Sequence, residues 1–323
     1  MDIKEIIKPI TSELEIFEDH FRQAMRSKIP FVDIIARYII KQKGKRIRPA
    51  LVLLSAKACG EINESTYRGA SLVEILHTAT LIHDDVVDEA NTRRGFPSIN
   101  AVWKNKIAVL MGDYLLAKGL LLSLDNNDYK FLKTTSQSVR RMSEAEILQI
   151  KKSRDLDIDE ETYMNIISGK TASLFATCCE IGASSVTDDE KIINQMNKFG
   201  ETLGIVFQMR DDLLDFTGRK SITGKPTGLD LKEKKLTLPL IHALTKAPRG
   251  EKKQIIQIVK KGSTKKDLLK IIDFANRYGG IEYTIKRAGE YSERAEEILE
   301  LLPPSPSKDS LLHFIEFVLQ REK

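Results

Sequence analysis

Cysteine is nearly missing from this chain: Cys59 and the adjacent pair Cys178 and Cys179 are the only ones in 323 residues. They fit neither a zinc-ligand spacing nor a disulfide framework, which points to a reducing compartment. An export signal is missing too. The opening MDIKEIIKPITSELEIF carries acids from its second residue and has no apolar core of signal length, and no later stretch reads as an apolar run long enough to span a bilayer. Charge of one sign is also scarce in excess. Lys and Arg exceed Asp and Glu by only 5, and the basic residues are spread apart from one cluster, so composition gives little support for nucleic-acid binding. Alternating strand patterns with hairpin turns do not occur. These absences leave a soluble cytoplasmic chain, 41% hydrophobic and 30% charged, long enough for one large core.

What is present is helical spacing almost everywhere. In TYRGASLVEILHTATLIHDDVVDEA, Leu72, Val73, Leu76, Ala79, Thr80 and Val87 recur every three or four positions, and Ser65 stands where an N-cap would. The same period runs through KIAVLMGDYLLAKGLLLSL, EETYMNIISGKTASLFATCCEIGA and DDEKIINQMNKFGETLGIVFQMRDDLLDF. Loops are marked by RRGFPS, GRKSITGKPTG and LPPSPS, and none reads as a domain linker. The expectation is an all-α fold, one domain over residues 1–323, built as a bundle of ten or more helices with several buried at its centre.

Two of those helices carry HDDVVD and RDDLLD. At 100° per residue Asp84 and Asp88 stack one turn apart with Asp85 beside them, and Asp211, Asp212 and Asp215 repeat the geometry. A lone acidic turn is most simply a solvated face. Here each triple is embedded in apolar sequence, where burial without a counterion would be prohibitive. Oxygen donors without His or Cys select a hard cation, and Mg²⁺ takes one or two protein carboxylates and completes its shell with water and substrate phosphate. Two facing triples therefore point to a diphosphate held between them. Cations for it occur in three places: the run Lys41, Lys43, Lys45, Arg46 and Arg48 ahead of Pro49; Arg93 and Arg94 after the first triple; and Lys225 with Lys232 to Lys235 after the second. Gly169-Lys170-Thr171 is not a P-loop, because Met164 occupies the upstream glycine position and no strand precedes it.

From about residue 40 onward these segments resemble the all-trans polyprenyl diphosphate synthases. The matching stretches are GKRIRP at 44–49, EILHTATLIHDDVVDEANTRRG at 74–95, GDYLLA at 112–117, SGKTASLF at 168–175, FGETLGIVFQMRDDLLDFTG at 199–218 and GKPTGLDLKEKKLTLPLI at 224–241. Lys43 and Lys234 depart from the pattern, each standing where the family has glycine. The resemblance implies the isoprenoid synthase fold around a central cavity, roughly three Mg²⁺ ions per site, and a homodimer that condenses isopentenyl diphosphate with an allylic prenyl diphosphate. It also allows a transient membrane contact for product release. It implies metal binding by Asp84, Asp88 and Asp211, supported by Asp85, Asp212 and Asp215. Arg93, Lys170 and Lys235 would touch the allylic diphosphate, and Lys45, Arg48, His77 and Arg94 the isopentenyl one. Thr171, Gln208 and Lys225 would line the space between.

Product length is expected to be read along the helix bearing HDDVVD. Short-chain synthases place aromatic rings four or five residues before the first aspartate, and this chain has Ala79 and Thr80 there. Leu76 and Leu72 follow one and two turns further down, with Leu121 and Leu122 of a facing helix closing the end. The resulting expectation is a product of roughly thirty to forty carbons, one helical turn matching about one isoprene unit. A synthase stopping at about twenty carbons is the alternative. A terpene cyclase lacks a second DDxxD and a use for GKRIRP, and a non-catalytic synthase subunit tends to lose aspartates that here all remain. A nucleic-acid binder would show steep salt dependence without Mg²⁺-dependent turnover.

Overall fold

The computed structural model describes residues 2–42, 44, 46–217, 235–262 and 265–320. The helices are α1 (Ile3–Ile6), α2 (Thr11–Met25), α3 (Pro30–Lys41), α4 (Ile47–Cys59), α5 (Glu64–Val87), α6 (Ile99–Asp125), α7 (Tyr129–Asp155) and α8 (Glu160–Ile167). A π-helical turn, Ser168–Ala172, leads into α9 (Ser173–Ser184) and α10 (Glu190–Thr217). After them come α11 (Leu238–Lys246), α12 (Arg249–Lys261), α13 (Lys265–Arg277), α14 (Gly280–Glu300) and α15 (Pro306–Leu319). The all-α expectation holds. Among the described residues its one small exception is an antiparallel pair, β1 (Thr92–Arg93) with β2 (Phe96–Pro97), in the segment read as the loop RRGFPS.

Helix α5 is the axis of the bundle. It packs on α2, α4, α6 and α9, and from Thr66 to His77 nearly every side chain is buried. Its N-cap is Asn63 rather than Ser65. The Asn63 side chain accepts from Ser65 N at 2.9 Å and Thr66 N at 3.2 Å, while Thr66 Oγ1 accepts from Asn63 N at 3.3 Å, which closes a capping box. Around α4, α5, α9 and the first half of α10 lies one apolar cluster; a second joins α8, the end of α10 and α11–α14, and Tyr291 and Leu319 pack against both.

Two small residues set how closely α10 approaches its neighbours. A Cβ on Gly200 would fall 2.5 Å from Phe175 O, and one on Gly204 2.5 Å from Ala172 Cα. The stripe Gly200, Gly204, Gln208, Asp212, each one turn after the last, is thereby laid against α9 and the π turn. Helix α6 departs from expectation in another way. It is long and apolar enough to cross a membrane by length and composition, with mean hydropathy 1.7 over an 18-residue window. One side of α6 packs on α5, and the other leaves Val109, Leu110 and Leu121 exposed.

Candidate active site

The first aspartate triple ends α5, where the chain must leave the helix. Asp88 is its C-cap, exposed, at the negative end of the helix dipole. Asp84 lies one turn inside, and its carboxyl is pushed up to about 6, chiefly by burial; Glu146 and Asp88 add to the rise, and Lys170 and Arg93 oppose it. Asp85 points elsewhere. It is 3% exposed and receives the Arg93 guanidinium through Nε at 2.7 Å and Nη2 at 2.6 Å. The second triple divides in the same way. Asp211 is exposed, Asp215 half-buried, and Asp212 buried, with Tyr163 OH donating to its Oδ2 at 2.7 Å and Gln208 Nε2 to its Oδ1 at 2.7 Å. Among the described residues no group of three or more His, Cys, Asp and Glu side chains forms a closed metal site. An ion shared between one or two carboxylates and substrate oxygens, as Mg²⁺ prefers, fits such a donor set.

Between the triples stands the π turn. Its wider coil projects Lys170 and Thr171, and it is fixed by Arg141 Nη2, which donates to Ser168 Oγ at 2.8 Å and Glu201 Oε1 at 2.6 Å. Gly169 lets α7 press against it, since a Cβ there would fall 2.7 Å from Ala145 Cβ. Lys170 Nζ consequently reaches Glu146 and donates to Gln149 Oε1 at 2.8 Å. Thr171 Oγ1 meets Gln208 Oε1 at 2.7 Å.

Two adjoining cavities follow. One, of about 630 Å³, is lined by Asp88, Glu146, Gln149, Arg154, Lys235 and Lys260 among others. The other, of about 230 Å³, is lined by Gln149, Tyr163, Lys170, Thr171, Gln208, Asp211, Asp212 and Lys235. Gln149 and Lys235 belong to both, so the cavities adjoin, with Asp88 of the first triple on one and Asp211 and Asp212 of the second on the other.

The basic cluster behind the cleft is sorted by burial. Arg48 Nη1 lies 3.0 Å from His77 Nε2, and its guanidinium stacks 5.7 Å from the Phe175 ring centroid. Burial, then the charges of Arg48, Arg94 and Arg93, hold the His77 imidazole well below its ordinary range, so it is a neutral acceptor for Arg48. Arg94 donates from Nη1 to Gln42 O at 3.3 Å and lies across Gly44, where a Cβ would fall 2.3 Å from Nη1. Arg46, counted with this cluster in the sequence, turns away from it. At φ +52 it forks between Glu18 Oε1 at 2.7 Å and the buried Glu74 Oε1 at 2.6 Å. Lys43, Lys45, Lys225 and Lys232 to Lys234 lie outside the described residues.

Below Asp84 a narrow cavity of about 10 Å³ runs between α5, α7 and α9, lined by Leu76, His77, Thr80, Thr135, Ser138, Val139, Met142, Leu174 and Thr177. Its hydroxyls are turned back: Thr80 donates to His77 O at 2.8 Å, Thr135 to Phe131 O at 2.7 Å and Thr177 to Ser173 O at 2.9 Å, so it presents a nearly apolar wall. Of the expected chain-length set, Leu76 and Thr80 line this cavity, and the other four lie elsewhere. Leu72 packs against Gly119 of α6, where a Cβ would fall 3.2 Å from Leu72 Cδ1. Ala79 is fully buried on the same side, one turn before His83, whose ring covers Gly112 of α6. Leu121 is 53% exposed on the outer side of α6, and Leu122 packs only partly against the core. The cavity wall comes instead from Val139 and Met142 of α7 and Leu174 of α9, which the reading along one helix did not reach.

Sequence reasoning also missed Glu146, Gln149 and Tyr163. The α7 spacing Met142, Glu146, Gln149, Ser153 marks one helix face and was the available signal; Tyr163 offered none.

The sequence matches the polyprenyl synthetase family over residues 30–273. The chain belongs to that family. This polyprenyl synthetase is 36% identical over 320 residues, 98% of both chains, to the all-trans-nonaprenyl-diphosphate synthase (geranyl-diphosphate specific) of Rhodobacter capsulatus. It is 35% identical to the octaprenyl diphosphate synthase of Escherichia coli, with 93% of each chain covered. A polyprenyl synthase of Caulobacter crescentus, solved with calcium and isoprenyl diphosphate, superposes with a TM-score of 0.92 at 30% identity, covering 100% of this chain and 98% of that one. The polyprenyl synthetase is accordingly a prenyltransferase with the isoprenoid synthase fold.

Proposed function

We propose that this chain condenses isopentenyl diphosphate head to tail with an allylic prenyl diphosphate, as one isoprenoid synthase domain over residues 1–323, and makes an all-trans polyprenyl diphosphate. The observation that carries this reading is the pair of adjoining cavities that share Gln149 and Lys235 and are lined by Asp88, Lys170, Asp211 and Asp212, with a separate apolar cavity beside Thr80. Asp84, Asp88 and Asp211 would hold Mg²⁺, roughly three ions per site, which neutralise charge developing on the leaving diphosphate. Arg93, Lys170 and Lys235 bind that same diphosphate. Lys45, Arg48, His77 and Arg94 take the isopentenyl diphosphate, the neutral His77 keeping Arg48 in place.

When the allylic C–O bond breaks, its electron pair leaves with pyrophosphate and a carbocation remains. The isopentenyl double bond attacks it, and the departing pyrophosphate accepts the proton lost in forming the new double bond. Burial of the cavity wall excludes water that would capture the cation. The growing tail descends past Thr80 and Leu76, and a length of roughly thirty to forty carbons agrees with a path of several helical turns. The exposed Val109, Leu110 and Leu121 support a second copy of this chain as the cover of α6, that is, a homodimer. Three free cysteines agree with a cytoplasmic location.

The deciding assay incubates the protein with radiolabelled isopentenyl diphosphate, a geranyl, farnesyl or geranylgeranyl primer and Mg²⁺, then chromatographs the dephosphorylated products. A ladder of long all-trans prenols supports the reading. Cyclised hydrocarbon, or no incorporation, overturns it.

A further inference from the structure

Helices α8 and α9 form one run joined by the π turn, and the wider coil of that turn decides where Lys170 stands. Both flanks are seated: Tyr163, Ile166 and Ile167 of α8 are buried, and so is nearly the whole length of α9. Within the turn Ser173 N donates to Ser168 O, the long-span backbone bond of a π coil. An ordinary α-turn would hold one residue fewer and rotate Lys170 by about 100° against one of the flanks. The place of Lys170 in the cavity that it shares with Asp211 therefore depends on whatever keeps the π register.

Helix α7 meets the turn along one stripe of its own surface. Ser138 Oγ donates to Ser173 Oγ at 3.3 Å, and Ser173 Oγ donates to Gly169 O at 2.6 Å, while Glu146 and Gln149 hold Lys170. Arg141, between them, reaches a third element. Its Nη2 donates to Ser168 Oγ at 2.8 Å and to Glu201 Oε1 of α10 at 2.6 Å. Burial raises the Glu201 carboxyl, but hydrogen bonds from Ser168 and Arg141 outweigh it and hold the group below the ordinary carboxylate range, so it only accepts. Ser168 Oγ accordingly takes a proton from Arg141 and donates its own to Glu201 Oε1 at 2.6 Å. One three-membered knot thus ties the helix that holds the partners of Lys170, the turn that projects Lys170 and the helix that carries Asp211.

We propose that Arg141 is a positioning residue which, through Ser168 and Glu201, holds the π turn in the register that presents Lys170 to the allylic diphosphate. The inference rests on the prenyltransferase reading and deepens it. Arg141 lines neither cavity of the cleft, so it acts through Lys170 and not on substrate. Without its guanidinium the turn loses its tie to α10, the half-buried Glu201 keeps only a serine, and a shift toward an α-turn carries Lys170 away from Asp211. The substrate affected is the allylic diphosphate. Isopentenyl diphosphate, held by Arg48 of α4 and Arg94 of the hairpin segment, depends on no residue of the turn.

The test is a double-mutant cycle between Arg141 and Lys170. Arg141→Gln, Lys170→Gln and the double variant are assayed for kcat and for KM of both diphosphates, with thermal melts confirming folding. Arg141→Lys serves as the variant that keeps a cation for Glu201, and Ser168→Ala as a milder cut that leaves the ion pair in place. Arg141→Gln is expected to raise the allylic KM about fivefold with the isopentenyl KM within about twofold of wild type. Ser168→Ala should show the same split at about twofold, and Arg141→Lys should recover most of the allylic affinity. Lys170→Gln should raise the allylic KM about tenfold, and adding Arg141→Gln to it should change nothing further. Losses that multiply in the double variant, an equal rise in both KM values, or an unchanged allylic KM for Arg141→Gln would overturn the positioning role. A wild-type chain that transfers no prenyl group removes both readings, whereas an active wild type with independent effects removes this one alone.

Discussion

The guanidinium of Arg93 closes on the carboxylate of Asp85 through two nitrogens, Nε at 2.7 Å and Nη2 at 2.6 Å. The middle aspartate of the first triple is thereby spent on orienting an arginine of the following hairpin, as the middle aspartate of the second is spent on Tyr163 and Gln208. The two triples share a division of labour in which the middle member is the buried one, held by neighbouring side chains.

That division predicts unequal substitutions. Asp84→Ala and Asp211→Ala should each lose about a hundredfold or more in kcat at saturating Mg²⁺, because each removes charge from the cation site. Asp85→Asn should act on the allylic KM by loosening Arg93, with a smaller loss in kcat. Equal effects of Asp84→Ala and Asp85→Asn on both constants would contradict the assignment.

The basic residues should separate into substrate contacts and scaffold. Arg48→Ala and Arg94→Ala are expected to raise the KM for isopentenyl diphosphate more than that for the allylic primer, with near-normal melts for Arg94→Ala. Arg46→Ala should leave Glu74 buried without its partner and cost about 3–5 kcal/mol, read by denaturant unfolding. An unchanged unfolding midpoint for Arg46→Ala would show that the fork carries little.

The position of the tunnel predicts a contrast between neighbours. Thr80→Phe puts a ring into the apolar cavity about one turn below Asp84 and should shorten the product to about fifteen or twenty carbons with activity retained. Ala79→Phe instead pushes a ring against α6 and should destabilise the fold by about 1–3 kcal/mol. Product chromatography and melts on both variants decide it; shortening by Ala79→Phe with an unchanged melt would move the tunnel to the α6 side.

His77 gives a pH signature. Its folded-state imidazole is held well below the ordinary value, so the unfolded chain binds a proton that the native one refuses. Stability from this residue is full above about pH 6.5 and falls as pH drops below it. His77→Gln keeps an acceptor for Arg48 and should flatten that acidic decline in unfolding free energy between about pH 6.5 and 5. A slope identical to wild type would mean that other groups dominate.

The sequence by itself determined the helical class, the two aspartate triples and the order of acidic and basic segments, because periodicity and local spacing are properties of neighbours along one helix. The same locality explains what it missed. Whether Ala79 or Thr80 meets the product depends on which helices flank α5, and the flank at Thr80 is built from Met142 and Leu174, distant in the chain. That Arg46 turns away from Arg48 and Arg94 depended on Glu18 and Glu74 lying within reach of a left-handed backbone turn. Tyr163 carried no local signal, since only the close approach of α10 through Gly200 and Gly204 brings Gln208 to Thr171. Composition and period fix which faces must be buried; which partner buries each face, and so which way a hydroxyl points, is decided by packing between helices far apart in sequence.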